Sequence, residues 1–331
     1  MGFFIYSLFD LQIVVNRAQA KKIFMQPSSY FLTTTNGHQT PIYAWIPAGE
    51  IRCILHIAHG MAEYALRYEA IVPYFLKEQI AVYVHDQRGH GRAVPTIAQQ
   101  GIVTDNWFND QIEDICLILN HIKKEHPDKK IILLGHSMGS FVSQRFFQLH
   151  GHQINGLILS ASNGKKDPLM GVGMVVAQIQ KKLFGNRYRS KLIDYLSFAA
   201  FNKKFAPNRT PNDWLSRDEN EVDKYVADEQ CGFVCSACFF YDFFKGIRDA
   251  FDTNNIRQIP SQVPVYAFAG DKDPVGLQGK GFLQLIQNWK AAGAKDLTYD
   301  LYKGGRHEMM NEINRTEVLK NIINWIKRVT S

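Results

Sequence analysis

Gly135-His136-Ser137-Met138-Gly139 follows the apolar run Ile131-Ile132-Leu133-Leu134 and leads directly into Phe141, Val142, Phe146 and Phe147. The run before it reads as a buried strand, and the spacing after it as the apolar face of a helix. A serine flanked by glycines at such a junction forms a nucleophile elbow. The chain turns tightly there, and the Ser137 hydroxyl stands clear of the sheet. Such a hydroxyl attacks only when a histidine takes its proton and a carboxylate fixes that histidine.

Outward from this point the chain alternates strands with helices. Tyr30 to Thr34 and Pro41 to Ile46 read as two strands joined through Asn36-Gly37, a hairpin signal. Cys53 to Ala58 reads as a buried strand, Tyr68 to Gln79 as a helix and Ile80 to Val84 as a strand. A long helix follows, capped by Asp105, with Phe108, Ile112, Ile115, Cys116, Leu119 and Ile122 on one face and its end before Pro127. Strands at Ile131 to Leu134, Gly156 to Leu159, Val263 to Ala269 and Leu297 to Tyr302 continue the series. Helices around Gly281 to Ala291 and through Val318 to Ile326 complete it. Continuous apolar strands separated by amphipathic helices predict an α/β fold, a mostly parallel eight-stranded sheet covered on both faces.

Between residue 163 and residue 235 the alternation stops. Helical apolar clusters at Val172 to Ile179 and Leu192 to Phe201 predict an inserted helical cap, because the segment is too long for a loop. Residues 25–162 and 236–331 then form the core, and residues 1–24 an extension. The whole chain of 331 residues carries a formal charge of +7. Residues 164–209 hold ten Lys and Arg against Asp167 and Asp194, about +8, more than the net charge of the protein. With Phe184, Tyr188, Phe198 and Phe201 interleaved, this stretch suits peripheral contact with an anionic membrane. The plain alternative is a solvated outer face over a packed inner one. The basic run carries no nucleic-acid motif.

Five cysteines, an odd number in a chain large enough to need no staples, predict reduced thiols and a cytoplasmic setting. Cys231, Cys235 and Cys238 have the spacing of one helix face, with a zinc site as the sharper alternative. Near the N-terminus Ala18-Gln19-Ala20 resembles a signal-peptidase site, but no basic residue precedes the apolar part and Asp10 interrupts it. A short amphipathic helix is therefore expected there in preference to a secretion signal. No stretch reaches the length of a membrane span.

The partners of Ser137 belong downstream, acid before base. Gly270-Asp271-Lys272-Asp273-Pro274 follows one late strand, and Gly305-Arg306-His307 follows the last. Both lie at carboxyl ends of strands, where such sheets place their sites. His307 is the expected base and Asp273 the expected acid, with Asp271 bracing the loop. An oxyanion needs two backbone N–H donors. Met138, directly after the nucleophile, and Met61, in the loop after the strand Cys53 to Ala58, are the candidates.

Five motifs occur in order: His59-Gly60-Met61-Ala62-Glu63, His85-Asp86-Gln87-Arg88-Gly89-His90-Gly91-Arg92, the elbow itself, Gly270 to Val275, and Gly304-Gly305-Arg306-His307-Glu308-Met309. Together they resemble the monoacylglycerol lipase and lysophospholipase group of capped α/β-hydrolases, often labelled serine-aminopeptidase-like, from about residue 28 to the C-terminus. The resemblance implies an α/β-hydrolase fold, the triad Ser137, Asp273 and His307, an oxyanion hole of Met61 and Met138, and no metal or organic cofactor. It also implies an acyl-Ser137 intermediate and a single-chain acyl lipid as substrate. Cys231-Gly232-Phe233 with Tyr241-Asp242 looks like the return from cap to core. Ser140 stands where the group usually has glycine, and residues 1–24 have no counterpart. The same machinery also fits a peptidase or an esterase for soluble substrates. Carboxylates between Asp213 and Glu229 would then anchor a substrate amine. A non-catalytic binding module is the reading from another class, and it would require a lost triad member.

Overall fold

The computed structural model describes residues 26–166 and 168–331, so the expectation for residues 1–24 lies outside the described residues. Eight strands form one sheet: β1 (Ser28–Thr33), β2 (Gln39–Trp45), β3 (Cys53–Ala58), β4 (Ile80–His85), β5 (Lys130–His136), β6 (Gly156–Ser160), β7 (Val265–Gly270) and β8 (Leu297–Tyr302). Their order is β1-β2-β4-β3-β5-β6-β7-β8. The pairs β1–β2 and β2–β4 are antiparallel, and β4 through β8 pair in parallel. Gly37 turns the first hairpin at φ +80°, a conformation open to glycine at little cost.

The helices are α1 (Val72–Leu76), α2 (Trp107–Glu125), α3 (Met138–His150), α4 (Pro168–Phe184), α5 (Lys191–Asp194), α6 (Ala200–Asn202), α7 (Glu219–Ala227), α8 (Ala237–Ala250), α9 (Thr253–Ile256), α10 (Lys280–Ala291) and α11 (Arg315–Thr330). Alternate residues of each parallel strand feed two separate cores. Ile131 and Leu133 pack with α2, α3 and α8 on one face, while Ile132 and Leu134 pack with α1 and α11 on the other. Burial on both faces explains why these strands read as unbroken apolar runs.

Four local expectations need correction. The segment Tyr68 to Gln79 is a 3₁₀ turn at Ala65–Tyr68 followed by α1, with Pro73 in the first turn of α1. Asp105 does not cap α2. Asn106 holds that place at φ +70°, and Asp105 instead bonds Lys181 and Asn186 at the end of α4. Cys231, Cys235 and Cys238 do not share a helix face, because α8 starts only at Ala237. All three are free thiols, as are Cys53 and Cys116. Finally, the basic insertion is less free than its composition suggests. Lys181, Arg189, Lys204 and Arg209 are spent on ties to Asp105, to the carbonyls of Val234 and Ala98, to Gln278 and to Asp223. No helix among the described residues is long and apolar enough to cross a membrane.

Candidate active site

Ser137 sits between β5 and α3 with φ +49° and ψ −116°, the strained elbow expected of a serine pushed out of the sheet. The flanking glycines have a different task from the one the sequence suggested. Neither needs a positive φ; both need to lack a side chain. A Cβ on Gly139 would stand 2.1 Å from the carbonyl oxygen of Ala58, and one on Gly135 would stand 2.5 Å from that of Gly139. Close packing of elbow against β3 thus holds Ser137 in place. Backbone atoms cannot step aside, so Gly139→Ala is expected to cost about 3 kcal/mol of stability. Gly171→Ala, where a Cβ meets nothing within 4 Å, serves as the control. Urea midpoints followed by tryptophan fluorescence check this, and equal midpoints for the two variants would contradict it.

Downstream, the loops after β7 and β8 deliver Asp273 and His307 to the same point. His307 Nε2 lies 2.9 Å from Ser137 Oγ, and His307 Nδ1 lies 2.9 Å from Asp273 Oδ1. Asp273 and His307 are buried. Burial opposes a charge on His307, but the Asp273 carboxylate outweighs it and raises the imidazole above its ordinary value. Asp273 also accepts from the Val275 N–H at 2.9 Å, which orients its carboxylate. Asp271 faces away and accepts from the Gly304 N–H at 2.7 Å, bracing the loop before the histidine. Beside the base, His136 is pushed down to about 4 by burial and so stays neutral near His307.

Met61 and Met138 both border the cavity at Ser137. Met138 is the first residue of α3, where an N–H has no acceptor one turn back. The loop carrying Met61 is held from several sides. The Gly139 N–H donates to His59 O at 3.1 Å, and Gln87 Nε2 donates to the same oxygen at 2.5 Å. Glu63 accepts from the Gly60 N–H and from Tyr68 Oη. Arg67 then joins Glu63 to Glu308, the residue after the base, with bonds of 2.9 and 3.0 Å to the second carboxylate. Burial disfavours charge on Glu308, yet Arg67 holds its carboxyl below the usual range. One largely buried guanidinium therefore spans the loop of Met61 and the loop of His307. Sequence reading did not assign roles to Glu63, Arg67 or Glu308, although the i, i+4 spacing of the first two was visible.

The helical insertion also reaches this centre. Trp214 lays its ring 4.9 Å from that of His307, and the Leu215 carbonyl accepts from the Glu308 N–H at 2.7 Å. Tyr225 Oη and the Gly232 N–H both donate to the Ala62 carbonyl, at 3.1 and 3.0 Å. Ser140, in place of a glycine, bonds the Ser137 carbonyl at 2.6 Å and Ser162 Oγ at 2.7 Å, so its hydroxyl is fully used.

Above Ser137 lies a cavity of about 570 Å³. Its wall is dominated by Phe141, Val176, Phe198, Phe201, Phe240, Phe243 and Phe251. Of the four aromatic residues expected at a lipid interface, Phe198 and Phe201 face this cavity. Phe184 and Tyr188 do not; they pack at a tilt, ring centroids 4.7 Å apart, on exposed surface. The carboxylates from Asp213 onward are also elsewhere. Asp213 accepts from Thr210, Asp223 from Arg209, Asp228 from Tyr64 and Glu221 from Arg315, and none of these carboxylates borders the cavity.

A family described as serine aminopeptidase, S33, matches residues 49–314. Monoglyceride lipase of Rattus norvegicus is 24% identical over 286 residues, 85% of this chain and 84% of that protein. Monoacylglycerol lipase of Mycolicibacterium smegmatis is 24% identical over 286 residues, 85% of this chain and 90% of its own length. Among solved structures, a thermostable carboxyl esterase from Bacillus coagulans in complex with glycerol superimposes with a TM-score of 0.84 at 25% identity, covering 93% of this chain and all of the esterase. A soluble variant of monoglyceride lipase from Saccharomyces cerevisiae gives a TM-score of 0.73 at 20% identity, covering 92% and 96% of the two chains.

Proposed function

Since the chain belongs to the serine aminopeptidase S33 family of α/β-hydrolases, we propose that it releases a fatty acid from a single-chain acyl lipid, a monoacylglycerol or a lysophospholipid. The observation that carries this reading is the apolar cavity opening on Ser137, whose aromatic wall suits an acyl chain and offers few partners to a peptide. In this mechanism His307 takes the Ser137 proton as Oγ attacks the ester carbonyl. The oxyanion forms against the N–H groups of Met61 and Met138. His307 returns the proton to the departing alcohol, and water activated by His307 then cleaves the acyl-Ser137 ester. Asp273 holds the imidazole throughout. Residues 163–235 act as the cap, and residues 25–162 with 236–331 as the catalytic core. The test is fatty acid release from monoolein and lysophosphatidylcholine, with Ser137→Ala as control.

The substrate lives in a lipid surface, and one face of the cap suits such a surface. Val172, Val175, Ile179 and Leu183 of α4 are at least half exposed, as are Leu192, Tyr195 and Leu196. Lys182, Arg187, Lys191 and Lys203 are exposed in the same stretch. An apolar strip beside cations favours anionic bilayers. The five free thiols support work in a reducing, cytoplasmic compartment. Replacing Lys182, Arg187 and Lys191 by Gln is expected to weaken binding to phosphatidylserine-containing vesicles on the order of a hundredfold, at about 1 kcal/mol per cation. Co-sedimentation at low and high salt measures it; salt-independent binding unchanged by the substitutions would refute the role of these cations, and no co-sedimentation at low salt would refute the membrane contact.

A further inference from the structure

Three carboxylates border the cavity: Glu63, Asp194 and Glu308. Arg67 neutralises two of them, through ion pairs with Glu63 and Glu308. Asp194 is the exception. It ends the short helix α5, whose first turn is fixed by Ser190, the N-cap that accepts from the Ile193 N–H. The Asp194 N–H donates to the Ser190 carbonyl at 3.0 Å, so the backbone at this point is secured. Its carboxylate, by contrast, has neither a hydrogen bond nor an ion pair among the described residues. The neighbours on the same stretch that line the cavity are Ile193, Leu196, Ser197 and Phe198, and the buried Cys235 thiol is close enough to feel the Asp194 charge.

A carboxylate half withdrawn from water, beside apolar side chains and without a cation, loses hydration that nothing in the protein replaces. Burial alone accounts for its behaviour, pushing its carboxyl up to about 6, with no cation pulling it back. At neutral pH the group is therefore mostly charged, and its residue borders the cavity above Ser137. An acyl chain gains nothing from such a neighbour. A positively charged nitrogen would gain a charge-assisted hydrogen bond, shielded from bulk water by the cavity wall. Neither Glu63 nor Glu308 can offer the same, since each is already satisfied by Arg67.

We propose that Asp194 is a specificity-determining residue of the cavity, which receives a protonated amine carried by the ester substrate. This rests on the reading of Ser137 as the nucleophile of a single-chain acyl ester hydrolase, and it extends that reading to the head group. The amine can come from two sources of like chemistry: the ethanolamine of a lysophospholipid, or the free amino group of an aminoacyl ester.

The test compares kcat/KM on matched pairs. Lysophosphatidylethanolamine is set against lysophosphatidylglycerol, and octyl glycinate against octyl acetate. In the wild type at pH 7.5 the amine-bearing member of at least one pair is preferred, and the pair that shows it identifies the source. Asp194→Asn lowers that preference about tenfold, the weight of one hydrogen bond to a charged group. Asp194→Lys lowers it further. A purely structural role would depress both members alike and leave the ratio fixed, which would overturn the proposal, as would absence of any amine preference in the wild type. Monoolein separates this from the parent reading. A wild type inactive on monoolein and both lysophospholipids, yet active on octyl glycinate in an Asp194-dependent way, overturns the lipid substrate and leaves Asp194 standing.

Discussion

Ser137→Ala is expected to reduce kcat on monoolein by about a millionfold, to the level of the bound but unattacked ester. The expectation follows from geometry. Ser137 Oγ stands 2.9 Å from the imidazole that would take its proton, and among the cavity residues no second hydroxyl is paired with a histidine in this way. The Oγ makes no bond that holds the elbow together; the elbow is held by the Ser137 N–H on the Ser160 carbonyl and by the packing of Gly139 on β3. The variant should therefore fold, keep its melting temperature and bind lipid as before. Fatty acid release measured under substrate saturation, with circular dichroism alongside, decides the matter. A folded Ser137→Ala variant retaining more than about a tenth of wild-type activity would move the chemistry away from this serine, since nucleophile loss elsewhere costs several powers of ten.

The second large effect is that of Asp273→Asn, expected to lower kcat about ten-thousandfold by stabilising the wrong imidazole tautomer. Its pH profile carries separate information. A general base works only when neutral, so activity is lost as pH falls through the imidazole pKa. In the wild type that pKa is raised above its ordinary value, because the Asp273 carboxylate favours the charged ring against the effect of burial. The acid limb of kcat/KM should accordingly lie above pH 6.5. Removing the carboxylate leaves burial opposed only by the weaker pull of Glu308 and Glu63, and the limb moves to lower pH while the plateau drops. A plateau that falls without any shift of the limb would mean that Asp273 does not set the charge of His307. Asp271→Asn, which lies on a brace to the Gly304 N–H, should shift neither.

Much of this was legible in the sequence because parallel strands buried on both faces leave long apolar runs, and because catalytic loops follow strands in a fixed order. Ser137, Asp273 and His307 come from three such loops, so position along the chain singled out each of them, and the His307 side chain lies within hydrogen-bond distance of the other two. Asp105 shows where local reading fails. An acidic residue just before a helix looks like a cap, but Lys181, 76 residues away, competes for it and wins. Cys231 to Cys238 failed similarly, since periodicity cannot reveal that a helix begins between them. The latch formed by Glu63, Arg67 and Glu308 was hidden for another reason: the bond from Arg67 to Glu308 crosses 241 residues. The roles of the two elbow glycines were only half visible, because a close approach to the Ala58 carbonyl is a property of the sheet and not of the turn.

The two bonds on the Ala62 carbonyl divide the cap into a jamb and a door. Tyr225 and Gly232 grip the peptide that precedes Glu63, one residue beyond Met61, while Trp214 and Leu215 are sewn to the loop of His307. The part of the cap from Trp214 onward is thus bonded to both loops beside Ser137, and lifting it would break the bonds that hold the Ala62 and Glu308 backbone. Among the described residues, such stitches come from Trp214, Leu215, Tyr225 and Gly232. Substitutions at Trp214, Leu215, Tyr225 or Gly232 therefore act on the reaction centre itself, although all four belong to the insertion and not to the sheet.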